Sequence, residues 1–140
     1  MKKYLLVLMV FLYLLTACKK TEFEPEGPTD VRVRNMQTEE IFTNVVINTA
    51  GVRDTTGNIK KLGTINPGNV SDYQRVNIAF SKAEISAEID GKLFTTGTVN
   101  STYMDYKGQM RITYEVYISN MTNRTLMIHN VIPEEALVLK

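Results

Sequence analysis

The chain has 140 residues and a mass of 15.9 kDa, 44% of them hydrophobic, with one Cys and no Trp. Its 16 Lys and Arg against 15 Asp and Glu leave a formal charge of +1, which excludes the strongly basic surface on which nucleic-acid or anionic-membrane binding rests. A single Cys excludes an intramolecular disulfide, so a folded domain of this chain must be held by its core.

The amino-terminal segment carries Lys2 and Lys3, then an uninterrupted apolar run from Tyr4 to Leu15, then Thr16-Ala17-Cys18. This is the layout of a secretory signal peptide. As a helix at ~1.5 Å per residue the run covers roughly 18 Å, well short of the ~30 Å hydrocarbon core of a bilayer. Leu15-Thr16-Ala17-Cys18 resembles the lipobox of bacterial lipoproteins: an aliphatic residue, a small residue, Gly or Ala, then Cys. The resemblance implies a diacylglyceryl group on the Cys18 sulfur, cleavage after Ala17, removing residues 1–17, and acylation of the new amino terminus. At ~0.8 kcal/mol per buried methylene, two or three such chains hold a protein on its membrane persistently. Loss of Lys2 and Lys3 with the leader turns the formal charge of +1 into −1. An Asp after the lipidated Cys would resemble the inner-membrane retention signal of enterobacteria, whereas this chain has Lys19, so the resemblance points to the outer membrane. Lys19-Lys20-Thr21-Glu22 also loosely resembles the surface-export signals of Bacteroidetes lipoproteins, which leaves the periplasmic and cell-surface faces as alternatives.

Residues 18–29 combine the Cys with lysines, three glutamates, Pro25, Gly27, Pro28 and one large apolar residue, Phe23. Such a stretch buries too little to offset its ordering entropy and reads as an extended tether. Residues 30–140 suffice for one core and are too few for two domains. Within them the apolar pattern has a period of two. Ala83, Ile85, Ala87 and Ile89 alternate with Glu84, Ser86 and Glu88, and Met110, Ile112, Tyr114, Val116 and Ile118 fall on one face of a second strand. Further strands are expected at 31–35, 42–49, 60–65, 73–80, 92–95 and 126–131. Asp90-Gly91 predicts a two-residue hairpin, and Asn66-Pro67-Gly68-Asn69, Thr55-Thr56-Gly57-Asn58 and Asn120-Met121-Thr122-Asn123 predict turns. Helical turns are expected only at 38–42, capped by Thr38, and at 133–137, opened by Pro133. The whole predicts an all-β domain: a single antiparallel β-sandwich of about 7–8 strands with Ig-like or Greek-key connections, a small closed barrel being the alternative.

The run from Asn35 through Ile41-Phe42-Thr43-Asn44-Val45-Val46-Ile47, Leu62-Gly63-Thr64-Ile65-Asn66-Pro67-Gly68-Asn69-Val70-Ser71-Asp72-Tyr73 and Ile89-Asp90-Gly91-Lys92 resembles small β-sandwich lipoproteins of the Bacteroidetes. That family carries no assigned activity, so the resemblance implies fold and lineage without mechanism.

Catalytic patterns are sparse. His129 is the only histidine and lies in a strand pattern, where an edge or core role is expected over general-base work. No second histidine or free thiol completes a zinc site. Asp54-Thr55-Thr56-Gly57-Asn58 is oxygen-rich but lacks the spacing and closing Glu of a calcium loop. Asp54-Thr55-Thr56 also fits a Bacteroidetes O-glycosylation pattern. The carboxylate pairs Glu84/Glu88 and Glu134/Glu135 read as solvated faces rather than as acid and base. Tyr103 and Tyr106 form the one candidate aromatic pair for a sugar or a protein partner, with covering the end of the fold as the plainer role. The expectation is a non-enzymatic, lipid-anchored outer-membrane module without cofactor, metal or nucleic-acid partner. It would serve envelope interaction, with surface glycan binding as the alternative. An open strand edge is a further route to a partner, although the sequence does not say which edge.

Overall fold

The computed structural model describes residues 27–51, 57–99 and 106–136. Eight strands account for the regular structure: β1 (Thr29–Asn35), β2 (Phe42–Asn48), β3 (Ile59–Ile65), β4 (Gln74–Val76), β5 (Glu84–Ile89), β6 (Lys92–Thr95), β7 (Met110–Asn120) and β8 (Thr125–Ala136). They form one sheet in the order β3-β2-β5-β6-β8-β7-β1-β4. The two terminal strands of that order, β3 and β4, approach each other, so the sheet curls nearly into a barrel. Its concave side holds the core: Val31, Val33, Phe42, Ile47, Ile85, Ile112 and Tyr114 are fully buried.

The all-β expectation holds, with strands at every place the alternation indicated, but the expectation of purely antiparallel pairing needs correction. β1 pairs with β7 in parallel over six registered positions, and β6 meets β8 in parallel at Thr95 and Thr125 alone. Parallel neighbours need a long crossover, and the strands β2 to β6 all lie between β1 and β7 in the chain. The hairpin reading is correct in detail. Asp90 and Gly91 both have positive φ (52° and 70°), as a type I′ turn requires, between the paired strands β5 and β6. At Asn66-Pro67-Gly68-Asn69, Gly68 has φ 73° and the Asn69 amide donates to the Asn66 carbonyl at 3.1 Å, a type II turn.

Both expected helical turns are overturned. The loop after β1 is organised by the buried Asn35 side chain, whose Nδ2 donates to the Glu40 and Ile65 carbonyls while Oδ1 accepts from the Gln37 amide. Those bonds replace a helical turn at 38–42. Pro133 lies inside β8, opposite Ile112. A proline is tolerated there because β8 has no described neighbour on its other side at that point. The strand expected at 73–80 is shorter than its apolar pattern, since the amides of Asn77 and Ile78 both donate to the side chain of buried Asn58 at 3.0 Å instead of to a neighbouring strand.

Candidate functional site

Two features of the surface stand out, one ionic and one apolar. The ionic feature grows from the alternation in β1 and β7. With Val31, Val33, Ile112 and Tyr114 committed to the core, Asp30, Arg32, Arg34, Arg111, Thr113 and Glu115 must face outward. Parallel registry puts Asp30 beside Arg111, Arg32 beside Thr113 and Arg34 beside Glu115. Antiparallel pairing adds Arg75 of β4 beside Asp30, and Glu135 of β8 beside Arg111. One row across four strands therefore reads Arg75, Asp30, Arg111, Glu135, with charges alternating at every step. Arg75 grips Asp30 with Nε and Nη2 at 2.8 and 3.2 Å, and Arg111 Nη1 lies 2.5 Å from Glu135. Arg111 Nε is buried 3.7 Å from Asp30, within ion-pair range but without a hydrogen bond. The Arg75 guanidinium holds the Asp30 carboxyl below the usual carboxylate range, with Arg111 adding to the effect.

The second row centres on Glu134. A register shift in β8 between the partners of Arg111 and Ile112 makes Glu134 the extra residue of a bulge, so two consecutive glutamates serve the same face. Glu134 accepts from the Thr113 hydroxyl at 2.6 Å, from Arg32 Nη2 at 2.6 Å and from the Tyr73 hydroxyl. These bonds, Thr113 and Tyr73 foremost, pull its pKa down to about 2. Burial and the Glu134 contact push the Tyr73 phenol up. The Tyr73 ring lies against the guanidinium carbons of Arg32 and Arg111, 4.6 and 5.2 Å from its centroid. Thr113, Arg32 and Tyr73 thus all donate to the one carboxylate of Glu134. This arrangement clamps four strands together and leaves no acid and base poised toward a common reacting atom.

The apolar feature lies where β6 and β8 part. After the single pairing of Thr95 with Thr125, supported by the Thr95 amide donating to the Arg124 carbonyl at 3.2 Å, the two strands diverge. They leave a wedge of about 640 Å³. Its floor is Ala83, Leu126, Ile128 and Val131, all in or packed against the core. One wall is the edge of β8 from residue 127 to 131, which has no described strand beside it. Lys82 and Lys107 also line the space, and none of its described lining residues is Asp or Glu. Among the described residues neither lysine has an ion-pair partner. Beyond Thr125, β8 joins the terminal strands β3 and β4 in having an edge without a described hydrogen-bonded neighbour.

Of the candidate residues suggested by the sequence, the structure describes only part. Cys18, Tyr103 and Asp54-Thr55-Thr56 lie outside the described residues. Tyr106 is half-buried, packs edge-on against Phe80 and donates to the Gly27 carbonyl at 3.3 Å, so it closes one end of the fold. Glu84 and Glu88 accept from Asn48 and Asn44 on the outer face. His129 is exposed at the wedge margin and meets the Tyr117 ring edge-on at 6.1 Å. Among the described residues no group of His, Cys, Asp and Glu has the arrangement of a metal site, and no helix is long and apolar enough to cross a membrane. Sequence reading missed Tyr73 and the ionic rows. The outward alternation of Asp30, Arg32 and Arg34 and that of Arg111, Thr113 and Glu115 were their local signals.

The chain matches no family model and no curated protein sequence. Among solved structures it is similar to the NMR structure of a protein from Eubacterium rectale, with a TM-score of 0.49 and 14% identity, covering 79% of this chain and 95% of that one.

Proposed function

We propose that the chain is a lipid-anchored, non-enzymatic module of the bacterial outer membrane that holds a partner of the envelope at the open edge of β8. The observation that carries the anchoring is Leu15-Thr16-Ala17-Cys18 at the end of an apolar run too short to span a bilayer. What supports a binding rather than a chemical role is the contrast between the two surface features. The carboxylates of the ionic rows are engaged by the protein's own arginines, Thr113 and Tyr73, whereas the wedge offers a backbone edge over an apolar floor. In this reading β3-β2-β5-β6 and β8-β7-β1-β4 act as the two faces of a sandwich-like scaffold, joined on one side by the Thr95 and Thr125 pairing and open beyond it.

The test is metabolic labelling of producing cells with an alkyne-bearing palmitate, followed by membrane fractionation. The unaltered chain is expected to take up label and to sediment with outer membranes. Cys18→Ser is expected to lose the label and to stay on its uncleaved leader or appear in soluble fractions. Undiminished labelling of Cys18→Ser would refute the anchor.

A further inference from the structure

A thioether and an imidazole come together on the outer face of β7 and β8. Tyr117 stands opposite Met127 in the antiparallel register. Glu115 pairs with Asn130 and Val116 with Ile128, so His129 has no counterpart on β7 and is the extra residue of a bulge. Ile128 packs against the core, while Met127 and His129 on either side of it are exposed. Tyr117 touches both. Its hydroxyl donates to Met127 Sδ at 3.0 Å, and its ring meets the His129 ring edge-on with the centroids 6.1 Å apart. The sulfur and the imidazole therefore lie within reach of one tyrosine side chain.

The donor set selects the class of ligand. Met127 is 50% exposed, and neither ring nitrogen of His129 has a hydrogen-bond partner among the described residues. Glu115, the next outward residue along β7, is engaged by Arg34 at 3.0 Å. Hard divalent cations are held by carboxylate and carbonyl oxygens, and structural zinc takes four nitrogen or sulfur ligands. A thioether beside an imidazole instead suits a soft ion of low coordination number, for which two neutral donors suffice. Residues two apart on a strand are separated by roughly 6.8 Å, a span that a Met and a His side chain leaning together close over one ion. The Tyr117 hydroxyl occupies one lone pair of the sulfur and leaves the other for a metal, and the face of its ring favours a nearby cation.

We propose that Met127 and His129, gathered around Tyr117, form a binding site for a soft monovalent cation of the Cu(I) class. The site uses neither the lipid anchor nor a protein partner, so it stands or falls apart from the function proposed above.

Silver(I), which shares the ligand preferences of Cu(I) and undergoes no redox change in air, is the probe. The full chain in detergent, isotope-labelled at methionine methyls and histidine ring carbons, is titrated with silver nitrate in chloride-free buffer and followed by NMR. Met36 and Met121 are exposed thioethers, and the chain has no second histidine to assist them, so they serve as internal controls. Two donors held side by side raise the effective concentration of ligand, so the Met127 methyl and the His129 ring should shift together at about ten-fold less silver than the control methyls need. The readout is resolved by site, so silver taken up elsewhere does not mimic the result. His129→Gln should bring the Met127 threshold up to that of the controls, with amide shifts of β2 and β5 unchanged as the check on folding. A Met127 methyl that responds no earlier than Met36 and Met121, or that responds equally early in His129→Gln, overturns the proposal. So does a His129 ring that stays unmoved while the Met127 methyl shifts.

Discussion

Replacing Glu134 with Gln keeps the shape of the side chain and removes its charge, and the structure sets what that should cost. Glu134 accepts from Thr113, Arg32 and Tyr73, and its pKa falls from 4.5 to about 2. At ~1.36 kcal/mol per unit, a shift of about 2.5 units caps the contribution of the charged form near 3.4 kcal/mol. The Glu134 side chain is 30% exposed, and solvent screening at such a site reduces the expected loss to about 1–2 kcal/mol. The pH dependence has a definite sign. A carboxyl whose folded pKa is depressed contributes fully above its unfolded value, and the contribution fades as pH falls toward the folded one. The stability gap between the unaltered chain and Glu134→Gln should therefore be full at pH 7, begin to close below about pH 5 and approach zero near pH 2. Urea unfolding followed by far-UV circular dichroism at pH 7, 5 and 3 measures it, the difference between the two chains cancelling the acid sensitivity of other carboxylates. A gap under about 0.3 kcal/mol at pH 7, or one that stays constant down to pH 3, would refute the reasoning that this charge clamps the outer face.

Tyr114→Phe should cost about 1–2 kcal/mol in urea unfolding, because it leaves the Phe80 carbonyl without the hydroxyl that donates to it at 2.6 Å. Burial also pushes the Tyr114 phenol up, so the neutral form is the one the fold favours, and stability conferred by it is lost as pH rises above the unfolded value of ~10. Melting curves at pH 8 and 11 should accordingly show a smaller alkaline loss for the Phe variant than for the unaltered chain. Asn58→Ala removes the acceptor shared by the Asn77 and Ile78 amides and should destabilise the fold by about 2–3 kcal/mol, with those amides exchanging sooner. Asn58→Asp, which keeps the oxygen, should recover part of the loss, and an equal loss in both variants would point to packing rather than the acceptor.

Much of this architecture could be read from local pattern. A period of two located each strand, and Asp90-Gly91 announced its own turn because few other dipeptides tolerate two successive residues at positive φ. What local pattern cannot carry is partnership. Arg32 and Glu134 are separated by 102 positions, and nothing in the alternation of Asp30, Arg32 and Arg34 reveals that β7 will lie alongside in parallel and β8 beyond it. Pro133 misled for a related reason. Proline opens a helix or sits on an unpaired strand edge with equal ease, and only the position of β8 relative to β6 decides between the two. The wedge was invisible in the sequence because it is made by two strands diverging after one shared pair, an event with no residue signature of its own.

The placement of β1 has a mechanical consequence. Any pull exerted from the amino-terminal side enters the described structure at Gly27 and passes at Thr29 into β1, a strand flanked on both sides, by β4 and by β7. Load applied along such a strand is shared by two ladders and by the arginine clasps on Asp30 and Glu134, so extraction cannot proceed one bond at a time as it would from a sheet margin. Resistance to force is a matter of unfolding rate rather than of equilibrium stability. Load entering along β1 is thus borne inside the sheet, while the edge of β8 lies two strands away from it.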